Sequence, residues 1–306
     1  MKTLFKKALA FFLIISVVLC LGSCFLFEDN NVDENDSQNN VEPKPDPVEI
    51  SLDLMSYNIR ICVDTGVNAW DNRKANMVAY LNSQNADVIC MQEVVTVQYQ
   101  YIFEGVCEKY DIVYYERSGE GSEGLAIAFD KNKFDVVEQR MFWLSETPDE
   151  MSLGWGANYY RICVNVLLRH KETGAYLDVY NVHLDSESRD ARLNGINLIM
   201  QKAEGRGYPI YLAGDFNDVI GSPCYQAIDG KLMDCQVYAD ETTEGTTWHN
   251  WGQIPDDAND SIDFCFVSED IVPLKFTICR DKAPDGNFYS DHYAVKTSVK
   301  IIIEAE

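Results

Sequence analysis

Two polar side chains follow directly after a short apolar run in the second half of the chain. The run Tyr211–Gly214 is typical of a buried strand, and Asp215 and Asn217 come immediately after it. Side chains two residues apart point to the same side of an extended chain, so we expect Asp215 and Asn217 to face one pocket while Phe216 packs into the core. A carboxylate and an amide at the mouth of a sheet are suited to metal binding or water activation. A simple Asx turn is the structural alternative.

The same pattern recurs where other predicted strands begin or end. The polar residues at these positions are Asn58, Glu93, His183, Asp263, and the adjacent pair Asp291 and His292. An isolated charge is costly to bury unless it is paired, hydrogen-bonded or bound to a metal. We therefore expect these side chains to share one polar pocket at one edge of the sheets.

The residue types of this set restrict its chemistry. Oxygen ligands without a thiolate suit Mg²⁺, with Mn²⁺ or Ca²⁺ as alternatives, better than Zn²⁺. Two histidines near carboxylates suit proton transfer and anion stabilisation near neutral pH. The sequence contains neither a GxSxG elbow nor a GxxxxGK[ST] loop, which argues against serine hydrolases and P-loop enzymes. Hydrolysis of a phosphate ester by an activated water fits the set best.

Hydrophobic periodicity predicts that strands alternate with a few helices and with hairpins. This order favours an α+β fold of two packed mixed sheets with helices on their outer faces. A helix is expected to begin after an Asp71 cap. The predicted strands are 51–57, 87–92, 110–115, 124–129, 134–144, 160–168, 176–184, 208–213, 261–267, 274–279 and 292–299, and the predicted helices are 72–85, 97–109 and 188–203.

The motifs around these residues resemble those of the endonuclease/exonuclease/phosphatase superfamily, which includes the pancreatic-type deoxyribonucleases. YNIR, QE, HLD, GDFN, IDF and SDH occur in the family order between about residues 51 and 300. The resemblance implies a four-layer α/β/β/α sandwich. It also implies a metal-dependent phosphoric ester hydrolase that uses one or two divalent ions.

The resemblance further implies a role for each polar residue. Glu93 is expected to be the central metal ligand, with Asn58 and Asp291 beside it or bridged to the ion through water. The other five residues are expected to act on the reacting groups: Asp215 on the attacking water, Asn217 on the phosphoryl oxygens, His292 as base or phosphate donor paired with Asp263, and His183 on a phosphate oxygen or the leaving group.

Loops at the same edge are expected to select the substrate. The guanidinium of Arg60 suits phosphate, and two segments rich in aromatic residues and glycine suit a sugar, base or ring. The predicted substrate-binding residues are Arg60, Trp155, Arg161, His249 and Trp251. The aromatic residues of these segments could equally cover the core.

Charge narrows the choice of partner. The net charge of −24 argues against reading DNA through a basic face, although a bound cation would still permit a phosphate substrate. We expect a monomer that acts on a small phosphoester, with nucleic acid left open. A sphingomyelinase-type lipid phosphodiesterase would need exposed apolar loops, and none is plain in the sequence. A phosphate-ligand binding protein without turnover is the alternative of another class.

The first 23 residues are predicted to be a signal peptide. Lys2, Lys6 and Lys7 precede the apolar run 8–21, which is shorter than a comfortable membrane span. The sequence Leu-Gly-Ser before Cys24 resembles the lipobox of bacterial lipoproteins. The resemblance implies cleavage before Cys24 and lipidation of its sulfur, with two acyl chains as a stable anchor. We expect an exported cell-envelope lipoprotein, periplasmic or on the outer surface, that contacts the membrane only through this anchor. An unanchored secreted protein is the alternative.

Residues 24–49 are predicted to be a disordered acidic and proline-rich tether. Residues 28–48 are almost free of apolar side chains and cannot bury enough surface to fold. The endonuclease/exonuclease/phosphatase domain is then expected to span residues 50–306. The ten cysteines include no CxxC pair, which argues against a zinc ribbon and leaves any disulfide pairing open.

Overall fold

The computed structural model describes residues 48–258 and 260–303 of the chain. The predicted signal peptide, the Cys24 lipidation site and the tether up to residue 47 lie outside the described residues. The strands are β1 Val48–Asn58, β2 Val88–Val94, β3 Tyr110–Glu116, β4 Gly124–Asp130, β5 Phe134–Trp143, β6 Ile162–His170, β7 Tyr176–His183, β8 Ile210–Asp215, β9 Met233–Asp234, β10 Glu241–Thr242, β11 Asp263–Val267, β12 Ile271–Cys279 and β13 Ala294–Ile303. The helices are α1 Trp70–Gln84, α2 Thr96–Val106, α3 Arg189–Ala203, α4 Pro223–Gln226 and α5 Cys235–Tyr238, with a 3₁₀ turn at Gly66–Asn68.

The strands form two mixed sheets. The first has the order β10-β12-β13-β1-β2-β4-β3, and the second has the order β5-β6-β7-β8-β11-β9. In the centre of each sheet two strands run parallel, β1 with β2 and β7 with β8. Their carboxyl ends therefore lie at one edge, and the antiparallel strands β4, β6, β11 and β13 begin at that same edge.

Three apolar layers hold the two sheets and the helices together. The central layer lies between the sheets and contains residues of both, such as Val88 and Tyr211. A second layer packs α1 and α2 on the first sheet, and a third packs α3 and α4 on the second sheet. The predicted four-layer α/β/β/α sandwich is confirmed.

Strand alternation explains why polar groups meet at one edge. In β1, Leu52 and Leu54 face the other sheet and Met55 faces the helices. The same alternation in β8 turns Tyr211 towards the space between the sheets. When this inward-facing row reaches the strand end it continues into Asn58 in β1 and Asp215 in β8, so the apolar interior becomes polar at that edge.

Some predicted boundaries differ from the structure. Strand β1 begins at Val48, which pairs with Ile303, so residues 48 and 49 belong to the domain and not to the tether. Helix α1 begins at Trp70 after Ala69, and Asp71 lies in its first turn instead of capping it. The short elements α4, α5, β9 and β10 were not predicted, because two to four residues carry no periodicity.

Two further observations concern the described part of the chain. No helix in residues 48–258 and 260–303 is long and apolar enough to cross a bilayer. The eight cysteines in these ranges are all free thiols, and six of them are buried. Buried thiols of this kind pack as small apolar side chains.

Candidate active site

The predicted convergence of strand ends is present in the structure. The Asn58 amide donates to Glu93 Oε1 at 3.1 Å and to Asp215 Oδ2 at 2.9 Å. His183 Nε2 and His292 Nε2 lie 3.5 and 3.7 Å from the same Asp215 oxygen. Asn58 and Asp215 are almost fully buried, at 0% and 1% exposure. Residues from β1, β2, β7 and β8 and from the segment before β13 thus surround one carboxylate.

A backbone irregularity directs Glu93 into this pocket. Ile89 and Met91 of β2 pack against the helices, so regular alternation would send Glu93 to the same side. Instead, Glu93 has a φ of 59° and the pairing of β2 with β4 shifts register between Met91 and Val94. Such a bulge re-aims a side chain at a sheet edge. The Glu93 carboxylate therefore reaches Asn58.

The GDFN segment turns more sharply than expected. Asn217 has a φ of 48°, and its backbone N–H donates to Asp215 Oδ1 at 2.9 Å. The chain is therefore not extended from Asp215 to Asn217, in contrast to the prediction. A turn relates the two residues, and the Asn217 amide donates to the Leu184 carbonyl. A Cβ at Gly214 would collide with the Val182 carbonyl oxygen, so only glycine permits the close approach of β8 to β7.

His292 is paired with a buried carboxylate, as predicted. Its Nδ1 lies 2.9 Å from Asp263 Oδ2, and both residues are buried. Burial alone would lower the pKa of His292, but the negative charges of Asp263, Asp215 and Asp291 outweigh it and raise that pKa to about 10. An imidazole with a raised pKa is suited to donating a hydrogen bond near neutral pH. A cation bound beside Asp291 would oppose this shift.

Glu123 is a site residue that sequence reasoning missed. It precedes β4, and its Oε1 lies 3.1 Å from His183 Nδ1. Burial would raise the pKa of Glu123, but His183, Arg161 and Arg117 together lower it to about 2. The signal was available, because Glu123 stands at the start of an apolar strand like the other site residues. Gly121 and Gly124 on either side of Glu123 predict a turn, which obscures this signal.

Asp215 is held in its ionised form. Burial would raise its pKa, but His183, His292, the Asn217 N–H and the Asn58 amide lower it below the usual value. A carboxylate stabilised in this way is suited to orienting a water and accepting a hydrogen bond from it. The same set of neighbours leaves one Asp215 oxygen facing both imidazoles.

The donor set at the first sheet fits a hard divalent cation. Arg60 Nη1 lies 3.9 Å from Glu93 Oε2 and 3.8 Å from Asp291 Oδ2, so both carboxylates reach one positive charge. The carboxylate oxygens of Glu93 and Asp291 and the side-chain oxygen of Asn58 are of the type that Mg²⁺, Mn²⁺ and Ca²⁺ accept as ligands. A second group that could hold a metal consists of Asp215, Asp263 and His292, whose ligand atoms lie within 4.8 Å of one another.

Arg73, which sequence reasoning did not single out, joins the loops that carry the proposed metal ligands. Its side chain is buried, at 2% exposure, between the rings of Trp70 and Trp251. All its hydrogen bonds go to backbone carbonyl oxygens: those of Asn68, Ile59, Tyr289, Arg60 and Ile61. A guanidinium fork can hold several carbonyls in a fixed arrangement. Arg73 thus connects the segment after Asn58 to the segment before Asp291.

The five predicted substrate-binding residues lie in different environments. Arg60 and Arg161 lie at the site, where Arg161 donates to Glu123 Oε1 at 3.3 Å. Trp155 and Trp251 are half-buried in the surrounding loops. Trp155 contacts Glu146 and Ser188, and Trp251 covers the Arg73 guanidinium.

His249 corrects one of these predictions. It is 1% exposed and its ring lies about 4 Å from those of Phe288 and Tyr293, at 4.2 and 4.1 Å between centroids. Burial lowers its pKa to about 4. In this structure the His249 side chain packs the turn before β11 and presents almost no surface to a substrate. Aromatic-rich sequence alone does not distinguish this from a surface platform.

Comparison with known proteins decides the family. A model of the Endonuclease/Exonuclease/phosphatase family matches residues 55–292. The chain belongs to this family. Among family members of known structure, an endonuclease/exonuclease/phosphatase from Bacteroides vulgatus is 27% identical with a TM-score of 0.77, covering 82% of this chain and 99% of the other. A mannosyl-6-phosphatase from Bacteroides thetaiotaomicron is 29% identical with a TM-score of 0.75, covering 81% and 99%.

Curated relatives of the family are longer than the matching region. Protein angel homolog 2 from Bos taurus is 31% identical over 228 residues, which cover 67% of this chain and 40% of the relative. The first curated relatives are covered over 25% to 60% of their length. Members of the family include phosphoester hydrolases of both the nuclease and the phosphatase type.

Proposed function

We propose that the chain is a divalent-metal-dependent phosphoesterase that hydrolyses a small phosphoester with an activated water. One observation carries this proposal: Asp215, whose Oδ2 accepts from the Asn58 amide at 2.9 Å, also lies within 3.7 Å of the imidazoles of His183 and His292. A single ionised carboxylate between two imidazoles can orient a water while the imidazoles hold the phosphate oxygens.

Each residue then has a defined task. Asp215 orients the attacking water, and the His292 imidazolium, held by Asp263, donates a hydrogen bond to a phosphoryl oxygen. His183, positioned by Glu123, donates to another oxygen or to the leaving group. Glu93 and Asp291, with Asn58, would hold the cation. When bound, the cation supplies charge stabilisation for the transferring phosphoryl group.

A sugar phosphomonoester is the preferred substrate class. Similarity to a mannosyl-6-phosphatase at 29% identity and nearly full coverage of that chain supports it. The curated relatives include a CCR4-Not 3'-5'-exoribonuclease subunit from Candida albicans, but that match is 22% identical. The net charge of −24 also repels a polyanion at long range. A nuclease is therefore the weaker alternative.

A lipid phosphodiesterase is a second candidate, because one observation favours it. The structure exposes apolar side chains in three loops at the active-site edge, contrary to the impression given by the sequence. Val63 follows β1, Leu153 follows β5 and Ile220 follows β8, with exposures of 62%, 48% and 48%. A contiguous apolar patch beside a site marks a surface that meets a lipid or a protein, and these three side chains would contribute to such a patch.

A substrate panel distinguishes these activities. We expect the purified full chain to release phosphate fastest from mannose 6-phosphate, more slowly from bis-p-nitrophenyl phosphate, and little from an RNA oligonucleotide or sphingomyelin vesicles. EDTA should abolish release and added Mg²⁺ should restore it, because the ligand set holds only oxygen donors for a hard ion. Binding of mannose 6-phosphate without turnover in Mg²⁺, Mn²⁺ or Ca²⁺ would support the binding-protein alternative.

We also propose that the protein is exported and anchored through Cys24. Support comes only from the lysines, the apolar run and the Leu-Gly-Ser-Cys sequence near the start of the chain. In a bacterial host, the chain should incorporate labelled palmitate and sediment with membranes, whereas Cys24→Ala should do neither. Equal labelling of a Cys20→Ala control is expected; label retained in Cys24→Ala would contradict the anchor. The monomeric state stays a prediction.

A further inference from the structure

Two arginines share one carboxylate oxygen beside His183. Arg117 Nη1 and Arg161 Nη1 donate to Glu123 Oε1 at 2.9 and 3.3 Å. Arg117 follows β3, Glu123 precedes β4 and Arg161 precedes β6, so all three lie at the active-site edge. The nearby carboxylates of Asp185 and Asp215 also act on Arg161, but neither is hydrogen-bonded to the two guanidinium groups. Two guanidinium groups therefore share a single carboxylate partner.

The hydrogen-bonding capacity of this cluster is not used up. Arg161 is 6% exposed, and its Nε–H has no partner among the described residues. Arg117, Glu123, Arg161 and His183 line a cavity of about 10 Å³, which has room for about one oxygen atom. A buried donor without an acceptor costs free energy, so an arginine kept in this position indicates an acceptor that the chain does not supply.

An exposed aromatic ring connects the two arginines to solvent. The Tyr159 ring lies 5.3 Å from the Arg117 guanidinium and 5.4 Å from that of Arg161. Tyr159 is 44% exposed, and its backbone N–H donates to Asp185 Oδ2 at 3.2 Å, two residues after His183. Cation–π contacts with one ring restrict both guanidinium groups, so a ligand would not have to order them.

We propose that Arg117, Tyr159 and Arg161 form a subsite for a second anionic group of the substrate, a phosphate or a carboxylate. The preferred substrate is then a small phosphoester that carries two anionic groups. This inference rests on the proposed phosphoesterase function and narrows its substrate class. The scissile phosphate lies on the Asp215 side of the His183 ring, and the second anion lies on the Glu123 side.

Matched sugar phosphates test the subsite. Relative to glucose 6-phosphate, glucose 1,6-bisphosphate carries a second phosphate at C1, and 6-phosphogluconate is the open-chain acid with a carboxylate at C1. For the full-length protein with Mg²⁺, kcat/KM should be roughly tenfold higher for at least one of them, the effect of one charge-assisted contact. The identity of the preferred compound distinguishes phosphate from carboxylate. Equal kcat/KM for all three would overturn the proposal.

Variants of Arg117 assign the preference to the subsite. The readout is the ratio of kcat/KM for the preferred two-anion compound to kcat/KM for glucose 6-phosphate. A ratio is needed because Arg117 also contacts Glu123, and its loss can lower both kcat/KM values. Arg117→Met should bring the ratio close to one, Arg117→Lys should keep part of the preference, and Arg117→Glu should bring the ratio below one. Arg169→Met removes the same charge from the exposed far end of β6 and should keep the wild-type ratio.

Two outcomes separate the subsite from the catalytic proposal. An unchanged ratio in Arg117→Met, with an unfolding temperature near that of the wild type, would show that the cluster is structural only. If none of the three compounds is hydrolysed, the phosphoesterase proposal fails, and calorimetric titration with glucose 1,6-bisphosphate still tests the subsite. Wild-type binding roughly tenfold tighter than that of Arg117→Met would support it, and equal binding would refute it.

Discussion

Replacing Asp215 with asparagine should lower kcat/KM on the best phosphoester by about a thousandfold, within the range that positioned acid–base and electrostatic groups contribute. The substitution keeps the shape of the side chain but removes the charge that lies within 3.7 Å of His183 and His292. A neutral amide cannot orient the water as a carboxylate does. Steady-state kinetics of Asp215→Asn measure the loss directly.

The control for this variant is Asp229→Asn. Asp229 is exposed beyond α4, so the same chemical change should leave kcat/KM within a factor of about two. Circular dichroism should show that both variants are folded. If Asp215→Asn keeps an activity within tenfold of the wild type, Asp215 does not orient the attacking water, and the proposed mechanism is contradicted.

Glu93→Gln should weaken binding of the divalent ion by about ten- to hundredfold, the range seen when groups that support a metal site are lost. Glu93 and Asp291 are the two carboxylates that share a positive neighbour, and the substitution removes one of the two charges. The hydrogen bond from the Asn58 amide can be kept, because the glutamine side chain still offers an amide oxygen as acceptor. Calorimetric titration with Mn²⁺ measures the affinity.

Activity should follow the metal affinity in this variant. At a Mg²⁺ concentration that saturates the wild type, Glu93→Gln should be about a hundredfold slower, with part of the rate restored by raising Mg²⁺. Glu172→Gln, an exposed change in the β6–β7 turn at the opposite edge, is the matched control. If Glu93→Gln binds Mn²⁺ as tightly as the wild type, Glu93 is not a metal ligand, and the group of Asp215, Asp263 and His292 becomes the candidate metal site.

Most of the strands could be predicted because their signal is local. Alternation in β1 and the apolar runs of β2 and β8 depend on residues within one strand, and periodicity reports them. The short elements between residues 223 and 242 have no such signal. The start of β1 at Val48 was missed because its pairing partner, Ile303, lies at the other end of the chain.

Part of the site could be predicted because several of its residues follow the alternation of side chains along a strand. Asn58, His183 and Asp215 continue inward-facing rows of side chains, so parity along a strand places them between the sheets. Glu93 breaks that parity, and only its positive φ and the bulge of β2 bring it inward. Its motif identified it, whereas its strand pattern alone would have sent it to the helices.

By itself, the sequence determined which side chains stand at strand ends, the order of the family motifs and the predominance of oxygen ligands. The tertiary structure decided that Arg73 binds five carbonyls, that His249 is enclosed by aromatic rings and that Glu123 lies between His183 and two arginines. The physical reason is distance along the chain. Contacts such as Asn58 with Asp215, 157 residues apart, depend on strand order and sheet packing, which no local pattern encodes.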